Sequence, residues 1–507
     1  MRTSIASLTS IALALTLGTG CKPQVEPEPP APAPAPEPES EPEPEPEPVA
    51  EHVYPDPPPP AAAKSVAFPT ASEFKLDNGL IVYVVENHEV PVVSSTLVVR
   101  AGSMDDPIVA DLTAVMLGEG TKARSKAKID EAIEFVGGVL GEASSTHNSY
   151  VYTRTLVKDL KLGLTLLSDQ IMNPLFPEEA LTKTKNRVKT GLSMRAGDPG
   201  HLAGTLFDMV AYPEGHPYGT PDPTPEAVDA VTVADLQDFH ETFYRANNSY
   251  LVLSGDITAE EAKPLVERTL GRWKSTTKRR LPGNPLNKFK DYAVPSELVV
   301  HLVDRPGSAQ AEIMIGNLAL ARNHKDWPAL EVANAILGGS ATGRLFLDIR
   351  EERGLAYNVG SSLDEGQAPG TFYISTRTRN ASTGEMLAGL FDHLGRMRKE
   401  LPTEAEVEGA KARMVGKFPL ELETAEQIAG KVRAAITYGL PSDYWAGYRD
   451  SIAAITPAQV QEAAKKYMHP IPHVVIVGES AAIQSQIEEV LPKATIKVYG
   501  TDLQPKG

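Results

Sequence analysis

Apolar and polar positions along the chain switch repeatedly between a period of two and a period of three to four. Phe74–Leu76 and Leu80–Val85 flank Asp77, Asn78 and Gly79, turn residues that predict a hairpin. Val92–Val99 is apolar and β-branched and predicts a strand. Helical spacing follows at Ala110–Leu117, Ile129–Val136, Lys158–Met172 and Glu178–Met194, and Ser249–Ser254 returns to a strand. The same order then recurs. Leu298–Val303 and Glu312–Ile315 predict strands, Trp327–Leu337 a helix, Thr371–Thr376 a strand and Met386–Leu401 a helix, with His473–Val477 as the final strand.

The two series can be put in register. Val231, Thr232, Tyr244 and Tyr250–Gly255 correspond to Ile455, Thr456, Tyr467 and His473–Gly478, an offset of 223 residues. Val115–Gly118 corresponds to Ala335–Gly338 at an offset of 220. Two offsets so close predict a duplication, with two equivalent α+β domains at residues 72–273 and 297–500. Residues 274–296 are basic, proline-containing and weakly apolar, and predict the linker.

Composition changes this picture mainly at the N-terminus. Arg2 precedes an apolar run at Ile11–Leu17 and the small residues Gly18, Thr19 and Gly20, the layout of a secretory signal peptide over residues 1–20. The only cysteine of the chain, Cys21, follows directly, as in a bacterial lipoprotein signal, where the cysteine carries lipid and becomes the mature N-terminus. An ordinary signal peptide with an incidental cysteine is the alternative. Lys22 is not the aspartate that holds lipoproteins at the inner membrane, so the expected location is the cell envelope, anchored to the outer membrane and facing the periplasm. Between Lys22 and Pro60 lie 17 of the 43 prolines and ten acidic residues against one lysine. Such a segment cannot form a core, so residues 21–71 are expected to be a disordered, extended tether. At about 3.1 Å per residue it would reach on the order of 120 Å. It carries about half of the formal net charge of -17, so the body is only mildly acidic and no nucleic-acid partner is expected. A single cysteine excludes a disulfide framework and cysteine-rich zinc modules.

Several stretches of the body resemble one family. FKLDNGLIVYVVEN with VVRAGSMDD, YPEGHPYGT at Tyr212–Thr220, VTVADLQDFHETFYRANNSYLVLSGDI and GRLFLDIREERGLAYNVGSS occur in order. Together they resemble the pitrilysin/insulinase metallopeptidases, the family of the mitochondrial processing peptidase, over about residues 72–495. The resemblance implies two domains, each a mostly antiparallel sheet packed by helices, closing like a clamp around an unfolded peptide.

The family's chemistry rests on a helical His-x-x-Glu-His, with a glutamate from a later helix as the third zinc ligand. Two histidines four apart share a helix face, and the glutamate between them serves as general base. Aligned on Met116, Gly120 and Thr121, the histidine positions of this chain are Asp111 and Val115, the base position is Ala114, and the distal ligand position falls near Gly191. No His-x-x-Glu-His or His-Glu-x-x-His occurs among the 11 histidines, and His147, His201, His216 and His240 have no ligand spacing. No Gly-x-Ser-x-Gly elbow or P-loop is present either. What the resemblance leaves is Arg353 and Tyr357, in a segment that in the family binds the substrate carbonyl and stabilises charge on it. The pattern resembles the chain of a two-chain peptidase that supplies arginine and tyrosine to a zinc-bearing partner. The expectation is a non-catalytic subunit with no cofactor of its own, zinc in the partner, and an unfolded peptide as substrate. The alternative is a peptide-binding or structural envelope lipoprotein with no proteolytic role.

Overall fold

The structure, a computed structural model, describes residues 68–69, 71–276, 281–290 and 292–506. The expected signal peptide, Cys21 and nearly all of the tether lie outside the described residues.

The first half contains β1 (Ser72–Lys75), β2 (Ile81–Glu86), β3 (Val92–Val99), β4 (Val139–Ser144), β5 (Ser149–Leu156) and β6 (Ser249–Gly255). Its helices are α1 (Val109–Met116), α2 (Lys126–Phe135), α3 (Leu160–Met172), α4 (Glu178–Ala196), α5 (Pro199–Ala211), α6 (Pro225–Ala230), α7 (Val233–Phe243) and α8 (Ala259–Leu270). The second half contains β7 (Val299–Asp304), β8 (Gln310–Leu318), β9 (Ala356–Leu363), β10 (Thr371–Arg379), β11 (His473–Gly478) and β12 (Thr495–Tyr499). With them come α9 (Trp327–Leu337), α10 (Thr383–Lys399), α11 (Glu404–Lys417), α12 (Ala425–Tyr438), α13 (Tyr444–Ala453), α14 (Pro457–Tyr467) and α15 (Ser480–Val490).

The two six-stranded sheets repeat one topology, β1-β2-β6-β3-β5-β4 and β12-β7-β11-β8-β10-β9. Both are mostly antiparallel, so the α+β duplication is what the chain adopts. The outermost strand is the exception to the repeat. β1 precedes β2 and pairs with it antiparallel, whereas β12 comes last in the chain and runs parallel to β7. His473–Val477 is therefore not the final strand. Part of the repeat has a local cause: Thr232 and Thr456 each cap the following helix, bonding the backbone N–H of Asp235 and Gln459, whose side chains bond back. The periodicity did not reveal β4, because its sequence VLGEAS mixes glycine and a glutamate with small residues on a sheet edge that needs no continuous apolar face.

Each sheet buries one face under helices of its own half. Leu97, Val151, Leu251 and Leu253 pack in the first core, and Val474, Ile476, Phe372 and Ile374 in the second. On the opposite faces the halves exchange helices. α5, from the first half, lies on β8 and β11, and α12, its counterpart in the repeat, lies on β6 and β2. Phe207 of α5 is fully buried against Tyr373 and His473 of the second sheet. Val85, Val98, Tyr250 and Val252 of the first sheet belong to the same core as the second half. The halves thus meet directly, through a continuous apolar core. The linker takes part, since Leu286 is buried and Phe289 packs on His216.

Candidate functional site

α1 and α4 touch, so the two helices that would carry the family's metal ligands are in place. Their side chains are another matter. Asp111 lies on the exposed side of α1, Ala114 is fully buried and Val115 half-buried. Gly191 faces open space, for a Cβ there would meet no atom within 4 Å. One carboxylate, two aliphatic groups and a hydrogen cannot ligate zinc. The positive charge near this corner is Arg195, one turn beyond Gly191, with Nη1 3.2 Å from Asp222 Oδ1. Although Asp111 is on the exposed side, protein packed around its carboxyl desolvates it and raises its pKa, and the Ser144 hydroxyl and the Arg195 charge oppose that rise. On the other side, Glu142 of β4 packs against Gly118, and burial pushes its carboxyl up to about 7 despite a 2.7 Å bond from Gln170 Nε2. Among the described residues, no group of three or more histidine, cysteine or acidic side chains is arranged to hold a metal.

The four singled-out histidines each have a structural partner. His147 Nε2 lies 2.6 Å from Tyr218 Oη, and His201 Nε2 lies 2.5 Å from Asp222. His216 Nδ1 accepts from the Tyr218 N–H, and its ring stacks on Tyr212. His240 Nε2 lies 2.8 Å from the Ile171 carbonyl. Burial lowers His147, His216 and His240 to about 4, so all three are neutral near pH 7. His147 and His216 meet at Tyr218, which fastens the halves by accepting the backbone N–H of Gln367 at 3.0 Å.

Arg353 and Tyr357 come to different places. Phe346–Glu352 forms a π-helical turn. Gly354, with φ +62°, ends it in a left-handed conformation suited to glycine and leads into the outer strand β9. Tyr357, at the start of β9, is 87% exposed. Arg353 instead turns back onto Asp348, with bonds of 2.9 and 2.8 Å, and His393 adds a third at 2.7 Å. Burial of Asp348 acts to raise its pKa, but His393 and Arg353 outweigh that and hold it below the usual carboxylate range. The guanidinium that accompanies Tyr357 is that of Arg350, 5.3 Å above its ring and 4.5 Å from the ring of Phe346. Sequence reasoning passed over Arg350. Its signal was an arginine next to an exposed aromatic, with Phe346 four residues before it in a helical turn.

The first sheet has one more open feature. α12 covers β6 and β2 but not β5 and β4, and a groove of about 510 Å³ remains there. Tyr152 lies flat across β4 because position 141 is glycine; a Cβ on Gly141 would come within 2.6 Å of the Tyr152 hydroxyl. Among the described residues, β4 has β5 on one side and no strand on the other.

Two family models match the chain. "Insulinase (Peptidase family M16)" covers residues 81–203, and "Peptidase M16 inactive domain" covers 230–414. An uncharacterized zinc protease of Streptomyces coelicolor is 26% identical over 372 residues, spanning 72% of this chain and 79% of that protein. A zinc protease of Bacillus subtilis, also uncharacterized, is 26% identical over 310 residues, 61% of this chain and 73% of its own length. Among solved structures, a peptidase M16 inactive domain from Pseudomonas fluorescens aligns with a TM-score of 0.72 and 27% identity, covering 80% of this chain and 98% of that one. A protease from Helicobacter pylori shares the fold, with a TM-score of 0.73 at 19% identity over 81% of this chain and all of that one.

Proposed function

The chain belongs to the insulinase family, peptidase family M16, and we propose that it is a non-catalytic subunit of a two-chain metallopeptidase that cleaves unfolded peptides. The observation that carries this reading is the contrast between two segments. Where zinc ligands would stand, α1 and α4 present Asp111, Ala114, Val115 and Gly191, while Tyr357 stands exposed beside Arg350 on the other half. In a partner's site, a guanidinium and a neutral hydroxyl would bind a peptide carbonyl and stabilise charge developing on it. Arg353 acts as a positioning residue, holding the turn through Asp348. Two further observations support the reading. The halves share a core and form one subunit to which a second chain can add. The free edge of β4 can pair with an extended segment. The zinc and the general base belong to the partner, a homologue with His-x-x-Glu-His.

The proposal includes an envelope location, with Cys21 lipidated and the body facing the periplasm. No helix among the described residues is long and apolar enough to cross a membrane. Palmitate labelling that disappears in Cys21→Ala is the expected result, and an unlabelled wild type rejects the anchor.

The function is tested by a pull-down from the native envelope, followed by peptidase assays of the purified pair with and without chelator. Expected are co-purification of a zinc-bearing homologue, cleavage that stops with chelator, and a loss of about tenfold or more in Arg350→Ala and Tyr357→Phe. Full activity of both variants sinks the supply of binding groups, and stoichiometric zinc in this chain alone sinks the non-catalytic role. Peptide binding without cleavage in any combination favours the second reading, a peptide-binding or structural envelope protein.

A further inference from the structure

The internal repeat supplies its own comparison for the open groove. In the second sheet, Arg377 of β10 stands opposite Glu312 of β8, with Nε 2.6 Å from Oε2. The same register in the first sheet places Arg154 of β5 opposite Ser94 of β3. The two pairs are equivalent: Val151 opposes Leu97 as Ile374 opposes Ile315, three positions earlier on each arginine strand. Arg377 thus has a carboxylate built into its sheet, and Arg154 has a serine. Among the described residues Arg154 makes no ion pair.

Arg154 is exposed on the groove wall, with Ser94, Thr96, Val139, Tyr150 and Tyr152 around it. The other two charges of the groove cancel, since Arg433 Nη2 lies 2.9 Å from Glu426 Oε1. Arg154 is therefore its net charge. It stands opposite Val139 of β4, one strand in from the free edge. Neighbouring strands are about 4.8 Å apart, so a guanidinium can reach past β4 to a side chain on a strand added there. Alternate side chains of such a strand fall on the groove side, and largely apolar walls strengthen a charge pair formed there.

We infer that Arg154 anchors a carboxylate, and that the ligand seated along β4 is an extended peptide carrying Asp or Glu on the groove side. This rests on the peptide-binding reading above and adds the class of peptide. A planar guanidinium suits a carboxylate, and in the second sheet Glu312 supplies one to Arg377 at 2.6 Å.

The test is fluorescence anisotropy on the full chain with three pools of labelled ten-residue peptides. The pools have randomised flanks and Glu, Gln or Lys at one central position. The Glu pool is expected to bind about tenfold tighter than the Gln pool. Ser94→Glu, which installs the arrangement of the second sheet, should abolish the preference, as should Arg154→Gln, and Arg154→Glu should turn it towards the Lys pool. Circular dichroism and the melting temperature of each variant exclude misfolding. Equal binding of the Glu and Gln pools to the wild type overturns the carboxylate preference and leaves peptide binding standing. A preference that survives Ser94→Glu and Arg154→Gln overturns the assignment to Arg154. Binding of no pool overturns the peptide-binding reading, and this inference with it.

Discussion

Part of one face of the first sheet lies open as a groove of about 510 Å³, whereas the matching face of the second sheet carries a buried apolar seam. The helices that the halves exchange account for the difference. α5 docks with Leu202, Leu206 and Phe207, all buried, and closes its face with an apolar seam. α12 shares an apolar core with Val85, Tyr250 and Val252 of the first sheet and adds polar contacts beside it. Asn148 Nδ2 donates to Thr437 Oγ1 at 3.1 Å, and Arg433 Nη1 reaches Thr96 Oγ1 at 3.4 Å. Position by position the sheets follow the same rule. Where the first has Glu142, Gly141 opposite Tyr152, and Arg154 opposite Ser94, the second has Ser361, Gly360 opposite Ser375, and Arg377 opposite Glu312. On the matching positions the second sheet pairs its arginine with its own Glu312, and the second half presents Tyr357 beside Arg350 on an exposed turn. The first half keeps uncompensated groups at its edge, and an uncompensated group is where a ligand can contribute. The duplication provides two copies of one frame, and differences in side-chain pairing decide which copy has something left to bind with.

The comparison breaks first at α5. Phe207→Ala removes a fully buried ring from the seam and should cost about 3–5 kcal/mol. Denaturant unfolding read by fluorescence measures it, and a cost below about 1 kcal/mol would mean that the seam does not hold the halves together. Next comes the buried carboxyl of the first sheet. Glu142 has a folded pKa of about 7 against an ordinary 4.5, so between those values the folded chain keeps a proton that the unfolded chain releases. Stability therefore falls as pH rises through that window, by up to about 3 kcal/mol and less where water reaches the carboxyl. Glu142→Gln should flatten this slope and raise the melting temperature at pH 8, and an unchanged slope refutes the assignment. The smallest effect is expected at α12. Asn148→Ala loses one side-chain bond between the halves, about 1 kcal/mol, well below the effect at α5. An equal or larger loss would show that the polar contact is the principal fastening.

Most central strands and several amphipathic helices were legible because their signal is local, although the central strand β5 was missed. Val92–Val99 is buried along nearly its whole length and reads as a continuous β-branched run. Thr232 and Thr456 announce helix starts through a bond pattern that spans four residues. β4 and β12 were not legible, since an edge strand needs backbone partners more than an apolar face. Of the candidate site, the absence of the His-x-x-Glu-His residues could be read directly, because ligand chemistry depends on which residue types are present. The partner of Tyr357 could not. Arg350 and Arg353 share one turn, and a π-helical turn with Asp348 and His393 beside it ties Arg353 to Asp348 and leaves Arg350 against the ring.

The chain by itself determined most of its elements, their repetition at about 220 residues and the lack of zinc ligands at Asp111, Ala114, Val115 and Gly191. These follow from spacing and residue type, which are properties of short segments. Tertiary structure decided that α5 and α12 are exchanged, that Arg353 is tied down, and that Arg154 stands opposite a serine. Each of these depends on groups brought together from distant parts of the chain, and burial and charge pairing between such groups exist only once the sheets have formed.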